Sequence, residues 1–139
     1  MTTSAEGGRR RRGRELALRV LFELEGTDKD AGTSLAYQAE EVGATADVRA
    51  FAERLVLGCL ENRERIDAAL SAASRWSLTD VGKVERAVLR LGTCELLDSD
   101  GTPVAVVVDE SLELTRAYAG GDAVQYVNGV LGQIARERV

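Results

Sequence analysis

No histidine occurs among the 139 residues, which removes the commonest general base and a favoured metal ligand together. Only two cysteines are present, Cys59 and Cys94, both within apolar helical patterns. Neither belongs to a C-x-x-C pair, so zinc-site spacing is missing and both read as buried, reduced thiols packing as small apolar groups. Aromatic residues amount to 4%, leaving Leu, Val and Ala to build the core, a composition that favours packed helices. No apolar stretch approaches the roughly 20 residues that span a bilayer. The positively charged N-terminus has no apolar region and cleavage site behind it, so it is no signal peptide. The expectation is a cytoplasmic protein without a membrane partner. Catalytic motifs are absent too. The one Gly-Lys pair, Gly82–Lys83, falls inside an amphipathic helical pattern and lacks the upstream glycine of a phosphate loop. No nucleophile elbow, HExxH or Rossmann fingerprint appears, and the carboxylates are scattered over polar helix faces. An enzyme is not expected, nor any cofactor or metal.

What is present describes a globular chain with one unusual end. The length is near the commonest for a single domain, enough to bury roughly two thirds of the surface an unfolded chain exposes. Hydrophobic residues at 45% and charged residues at 29% are a globular balance rather than a disordered one. The net charge of -5 is segregated: residues 1–14 hold Arg9, Arg10, Arg11, Arg12 and Arg14 against Glu6, a net +4, so the remainder carries -9. A basic end on an acidic body is the asymmetry of a polyanion-binding segment. The plainer alternative is a solvated, disordered tail.

Along the chain, residues 1–8 are small and polar and are expected to be disordered, and residues 1–13 as a whole read as a disordered basic arm. From Arg14 the pattern is helical, with Ala17, Val20, Leu21 and Leu24 on one face, Leu18 and Phe22 widening it, and Glu15, Arg19 and Glu23 opposite. Gly26 provides the stop, and Thr33 or Ser34 caps a second helix through about Val42. A third helix runs from after Thr45 to about Leu60, with Val48, Ala52, Leu55, Val56 and Cys59 inside. Asn62 caps a fourth, whose inner face is Ile66, Ala69, Leu70 and Ala73, and Trp76 follows as a hydrophobic plug. Thr79 or Asp80 opens a fifth helix around Val81, Val84, Val88 and Leu91, ending near Leu97 before the turn Ser99, Asp100, Gly101. The run Val104–Val108 favours a strand by propensity. Thr102 and Pro103 nonetheless read as N-cap and first helical position, and no second strand exists to pair with it. Gly120 and Gly121 end this sixth helix, and Asp122 with Gln125 has capping-box spacing for a seventh, faced by Val127, Val130, Leu131 and Ile134. Gly129 and Gly132 there would permit close helix approach. The fold class is all-α, a seven-helix bundle.

The arginine run is placed by this reading at the N-terminus of the first helix, where the macrodipole disfavours cations. A local rule broken without folding benefit tends to mark function. Phosphate would reverse the sign by meeting both the free N–H groups and the guanidinium groups, and arginine stacks on unpaired bases as single-stranded RNA recognition requires. With so few aromatics the chain alone should bind modestly and need a helper protein.

The run RRRRGRELALRVLFELE resembles the opening of NusB proteins, WSLTDVGKVERAVLRLGTCELL their central signature, and TPVAVVVDESLELTRAYAGGDAVQYVNGVLGQI their C-terminal elements. Together these cover nearly the whole chain in order. The resemblance implies two small helical subdomains, about residues 14–60 and 61–139, in a single domain over 14–139. It implies a transcription antitermination and ribosomal-RNA-processing factor that binds single-stranded boxA-type RNA together with NusE, a small-subunit ribosomal protein, in the transcription elongation complex. When free, the chain is a monomer or a homodimer. The alternative is a self-associating helical RNA-binding module without an antitermination role. RNA binding maps onto Arg9, Arg10, Arg11, Arg12 and Arg14, and the NusE-facing surface onto Glu85, Asp122 and Tyr126. Asn128 and Gly129 read as architecture, a buried amide bridging backbone groups and a glycine for close packing. Two departures stand out: Gly13 interrupts the arginine run where a helix former is expected, and Thr93–Cys94 precedes Glu95 where the family often has an aromatic.

Overall fold

The computed structural model describes residues 2–74, 77–98 and 101–138; Trp76 and the turn residues Ser99 and Asp100 lie outside them. Among the described residues there are seven α-helices, two 3-10 turns and no strand. The helices are α1 (Thr2–Leu24), α2 (Ala31–Glu41), α3 (Ala46–Glu61), α4 (Arg63–Ala73), α5 (Lys83–Leu97), α6 (Val104–Tyr118) and α7 (Val124–Arg138), with 3-10 turns at Leu78–Asp80 and Gly121–Ala123. The β-favouring run at the start of α6 is helical, and Pro103 stands at the N-cap rather than at the first helical position, so the cap falls one residue later in the chain than the expected Thr102. No helix among the described residues is long and apolar enough to cross a membrane. The chain divides into two compact units, Met1–Gly58 and Cys59–Val139.

In the first unit α1 begins at Thr2 rather than after Gly13, so the arginine segment is the first half of a 23-residue helix and not a disordered arm. Arginine is a good helix former, and the glycine that looked like an interruption has a packing reason given below. Leu16, Ala17, Leu18 and Val20 are buried, whereas Phe22, expected inside, is 45% exposed. Gly26 ends the turn after α1 at φ +69°, a left-handed conformation that costs glycine nothing. The cap of α2 is Asp30, not Thr33 or Ser34: its carboxylate accepts from Thr33 N at 2.9 Å and from Thr33 Oγ1 at 3.1 Å. Two residues on the polar side of α1, Arg19 and Glu23, join α2. Arg19 Nε donates to Gln38 Oε1 at 3.0 Å. The Glu23 carboxylate accepts from the Ser34 hydroxyl, from the Gln38 amide at 3.3 Å and from Lys29 Nζ at 3.2 Å. Its pKa is lowered from 4.5, chiefly by the Ser34 hydrogen bond.

In the second unit α5 packs against α4, α6 and α7, and every residue from Ala87 to Leu96 except Arg90 is buried. Gly92 allows this: a Cβ there would lie 2.8 Å from Ser111 Oγ and 3.0 Å from Leu131 Cδ1. Ser111 is held in place by donating to Val107 O at 2.8 Å, and Thr115 repeats the bond to Ser111 O. Arg90 grips Asp67 through two bonds, Nε–Oδ1 at 2.9 Å and Nη2–Oδ2 at 3.1 Å, tying α5 to α4. Cys59 and Cys94 are both buried free thiols. The inner stripe of α7 is the expected one, with Val127, Val130, Leu131 and Ile134 all buried.

Candidate functional site

The arginine run divides by helical geometry. Arg10 and Arg14 stand one turn apart on the inward side of α1, and both guanidinium groups lie over the ring of Phe51 on α3, at 5.2 and 5.5 Å from its centroid. Arg54 covers the same ring at 5.3 Å. Gly13 makes the arrangement possible, since a Cβ there would lie 2.5 Å from Phe51 Cδ2. The departure from a helix former at this position is therefore the space in which the ring sits. Arg14 is 2% exposed, which moves it from the expected contact face into the packing; Arg10 is half-buried. Arg9, Arg11 and Arg12 are exposed and fall within a single turn of α1. Because the helix starts at Thr2, all five arginines lie beyond its first turn, where the dipole effect has faded. An anion at this site meets guanidinium groups and not free helix-end N–H groups.

In the second unit Glu85, Asp122 and Tyr126 gather on two adjoining surface cavities. One of about 260 Å³ is lined by Glu85, Gly82, Val81, Asp80, Ala123 and Tyr126. The other, about 620 Å³, is lined by Asp122, Gln125, Tyr126, Gly129 and Gln133 of the C-terminal segment and by Ala72 and Ala73 of α4. Tyr126 belongs to both and forms their shared wall, its hydroxyl hydrogen-bonded to the Ser74 hydroxyl at the C-cap of α4. The Glu85 carboxylate folds back over Gly82, the N-cap of α5, where a negative charge suits the helix dipole. Asp122 is exposed in the 3-10 turn, two residues ahead of the first residue of α7.

Sequence reasoning misjudged two neighbours. Asn128 is exposed, not a buried bridge, and Gly129 is exposed with no heavy atom within 4 Å of where a Cβ would stand. Gly132 likewise meets only the flexible end of Arg136, at 3.5 Å. Close packing against another helix is instead found at Gly13 and Gly92. Phe51 and Arg54 were missed as well, because the ring's role depends on an approach between two helices far apart in sequence.

A family model described as the NusB family matches residues 11–136. The chain belongs to the NusB family. Among curated relatives of this NusB-family chain, the transcription antitermination protein NusB of Sorangium cellulosum is 38% identical over 129 residues, covering 92% of each chain. That of Heliobacterium modesticaldum is also 38% identical over 129 residues, but the chain covers only 63% of that relative's length. Among solved structures, the complex of antitermination factors NusB and NusE with double-stranded RNA contains a chain that superimposes with a TM-score of 0.86 at 28% identity, covering 93% of this chain and 97% of that one.

Proposed function

We propose that this NusB-family chain is an RNA-binding transcription antitermination and ribosomal-RNA-processing factor, acting in the cytoplasm with NusE on single-stranded boxA-type RNA within the elongation complex. The observation that carries the reading is the exposed row Arg9, Arg11 and Arg12 on the first helix of an otherwise acidic protein. Guanidinium groups bind phosphate in a forked geometry and stack on bases, so a short exposed row suits a flexible single strand. The NusE-facing surface is assigned to Glu85, Asp122 and Tyr126. Their two cavities offer a carboxylate on each side of a tethered tyrosine, polar groups that orient a partner around an aromatic anchor.

The test is a titration of labelled boxA-like RNA with the complex of this chain and NusE, in single-stranded and duplex forms, over a range of salt. Affinity for the single strand should fall with salt at a log–log slope of about -0.7 per neutralised phosphate, so replacing Arg9, Arg11 and Arg12 by Ala should flatten the slope by about 2. Helical circular dichroism should be unchanged, since these side chains are exposed. Unaltered affinity and slope in that variant would overturn the site, and tighter binding of the duplex would overturn the single-strand reading.

A further inference from the structure

We infer that the nucleic-acid face extends onto α3, where Arg54 is a further RNA-contacting residue and Phe51 a positioning residue for the arginines around it. This rests on the RNA-binding reading above and adds residues from a second helix. Three guanidinium groups, those of Arg10, Arg14 and Arg54, lie 5.2 to 5.5 Å from the centroid of one ring. An aromatic face attracts a cation through its quadrupole but carries no net charge. Guanidinium groups from two helices thus gather at one point of the first unit, and guanidinium is the side-chain group that meets phosphate in a forked geometry. Of the three, Arg54 is the exposed one, while Arg14 is buried and Arg10 half-buried. A strand lying along Arg9, Arg11 and Arg12 that turns toward the ring meets Arg54. The ring also fixes its guanidinium groups before RNA arrives, which reduces the rotamer freedom lost on binding. Gly13 gives this seat a backbone origin, for any side chain there would push the ring away.

The experiment uses the chain in complex with NusE, a labelled single-stranded boxA-like RNA, and four variants measured across a salt range. Arg54→Gln is expected to weaken binding by three- to tenfold at low salt and to reduce the slope by about 0.7, the signature of one lost phosphate contact. Arg54→Lys should keep the slope. Phe51→Leu keeps every charge, so it should weaken binding with the slope unchanged. Unchanged affinity and slope for Arg54→Gln would overturn the contact, and unchanged affinity for Phe51→Leu would overturn the positioning role. Should Phe51→Leu lose helicity, Arg54→Gln decides alone, because its side chain is exposed. The triple variant Arg9→Ala, Arg11→Ala, Arg12→Ala separates the two readings. If it weakens binding while Arg54→Gln does not, only the extension onto α3 fails; if none of the variants has an effect, the RNA site itself fails.

Discussion

Gly129→Ala is expected to make the protein more stable and its partner binding weaker. Glycine in the interior of a helix is about 1 kcal/mol less favourable than alanine. Position 129 is exposed in the body of α7, and a Cβ there meets nothing within 4 Å. The added methyl therefore encounters no steric resistance, and the full helix-propensity gain of about 1 kcal/mol should appear in the unfolding free energy. For a chain of this size that corresponds to a rise in Tm of roughly 3–5 °C. No packing requirement explains the glycine, yet it lines the same cavity as Asp122 and Tyr126. If the NusE-facing surface is there, the missing side chain lets a partner approach the helix backbone closely. A methyl placed in such a contact costs about 1–3 kcal/mol, roughly a 5- to 160-fold rise in Kd. Thermal melts followed by circular dichroism give the first quantity, and calorimetric titration with NusE the second. A stabilised variant that binds NusE as tightly as the original would refute the assignment of this face, and a variant with no gain in stability would refute the helix argument.

The same substitution at Gly92 should have the opposite sign. There the Cβ would press on Ser111 Oγ and Leu131 Cδ1, and an overpacking cost of about 1–3 kcal/mol less the propensity gain of about 1 kcal/mol leaves a loss of up to about 2 kcal/mol in urea unfolding. The Glu23 carboxyl titrates below 4.5, first because Ser34 donates to it and then through Gln38 and Lys29. A carboxyl lowered in the folded state stabilises above its unfolded value and loses that contribution as pH falls through the folded value. Ser34→Ala should move the carbon-13 titration midpoint of Glu23 back toward 4.5, and an unmoved midpoint would contradict the cause. The Cys59 thiol is held well above 9.0 by its hydrogen bond with Cys94 and by burial. Its contribution to stability is thus complete below about pH 9 and is lost as pH rises and the unfolded chain ionises. Iodoacetamide at pH 8 should leave Cys59 unmodified in the native protein and label it in urea; rapid native labelling would show the thiol to be accessible.

Helix number and order were legible because each apolar stripe is long and keeps a 3.6-residue period, as in α3, where every expected inner residue from Val48 to Cys59 is buried. α6 was legible despite its valines because Pro103 suits a helix start and a lone strand has no partner for its backbone. What the period does not distinguish is solvent from a polar neighbour. Glu15, Arg19 and Glu23 share the polar side of α1, yet Arg19 and Glu23 spend their hydrogen bonds on α2. The start of α1 was misplaced for a related reason. Gly13 carries a local helix penalty that the sequence displays plainly, whereas the ring that occupies its empty side lies 38 positions further on, at Phe51.

Once α1 is extended upstream, Arg10 and Arg14 fall one turn apart on its inward side, although the period alone does not sort the run, since exposed Arg9 stands four and seven positions before the buried Gly13 and Leu16. Arg10 and Arg14 differ by four positions, and Arg14 is flanked on the inward side by Ala17 and Leu18 three and four positions later, so a helix that buries those residues turns both arginines inward. Arg9, Arg11 and Arg12 are exposed. A run of like charges that appears uniform in sequence thus becomes two sets in the fold: Arg10 and Arg14 lie over Phe51, joining α1 to α3, and the other three are exposed. Replacing all five arginines together would confuse loss of packing with loss of binding, which is why Arg9, Arg11 and Arg12 are the informative positions and Arg14 is not.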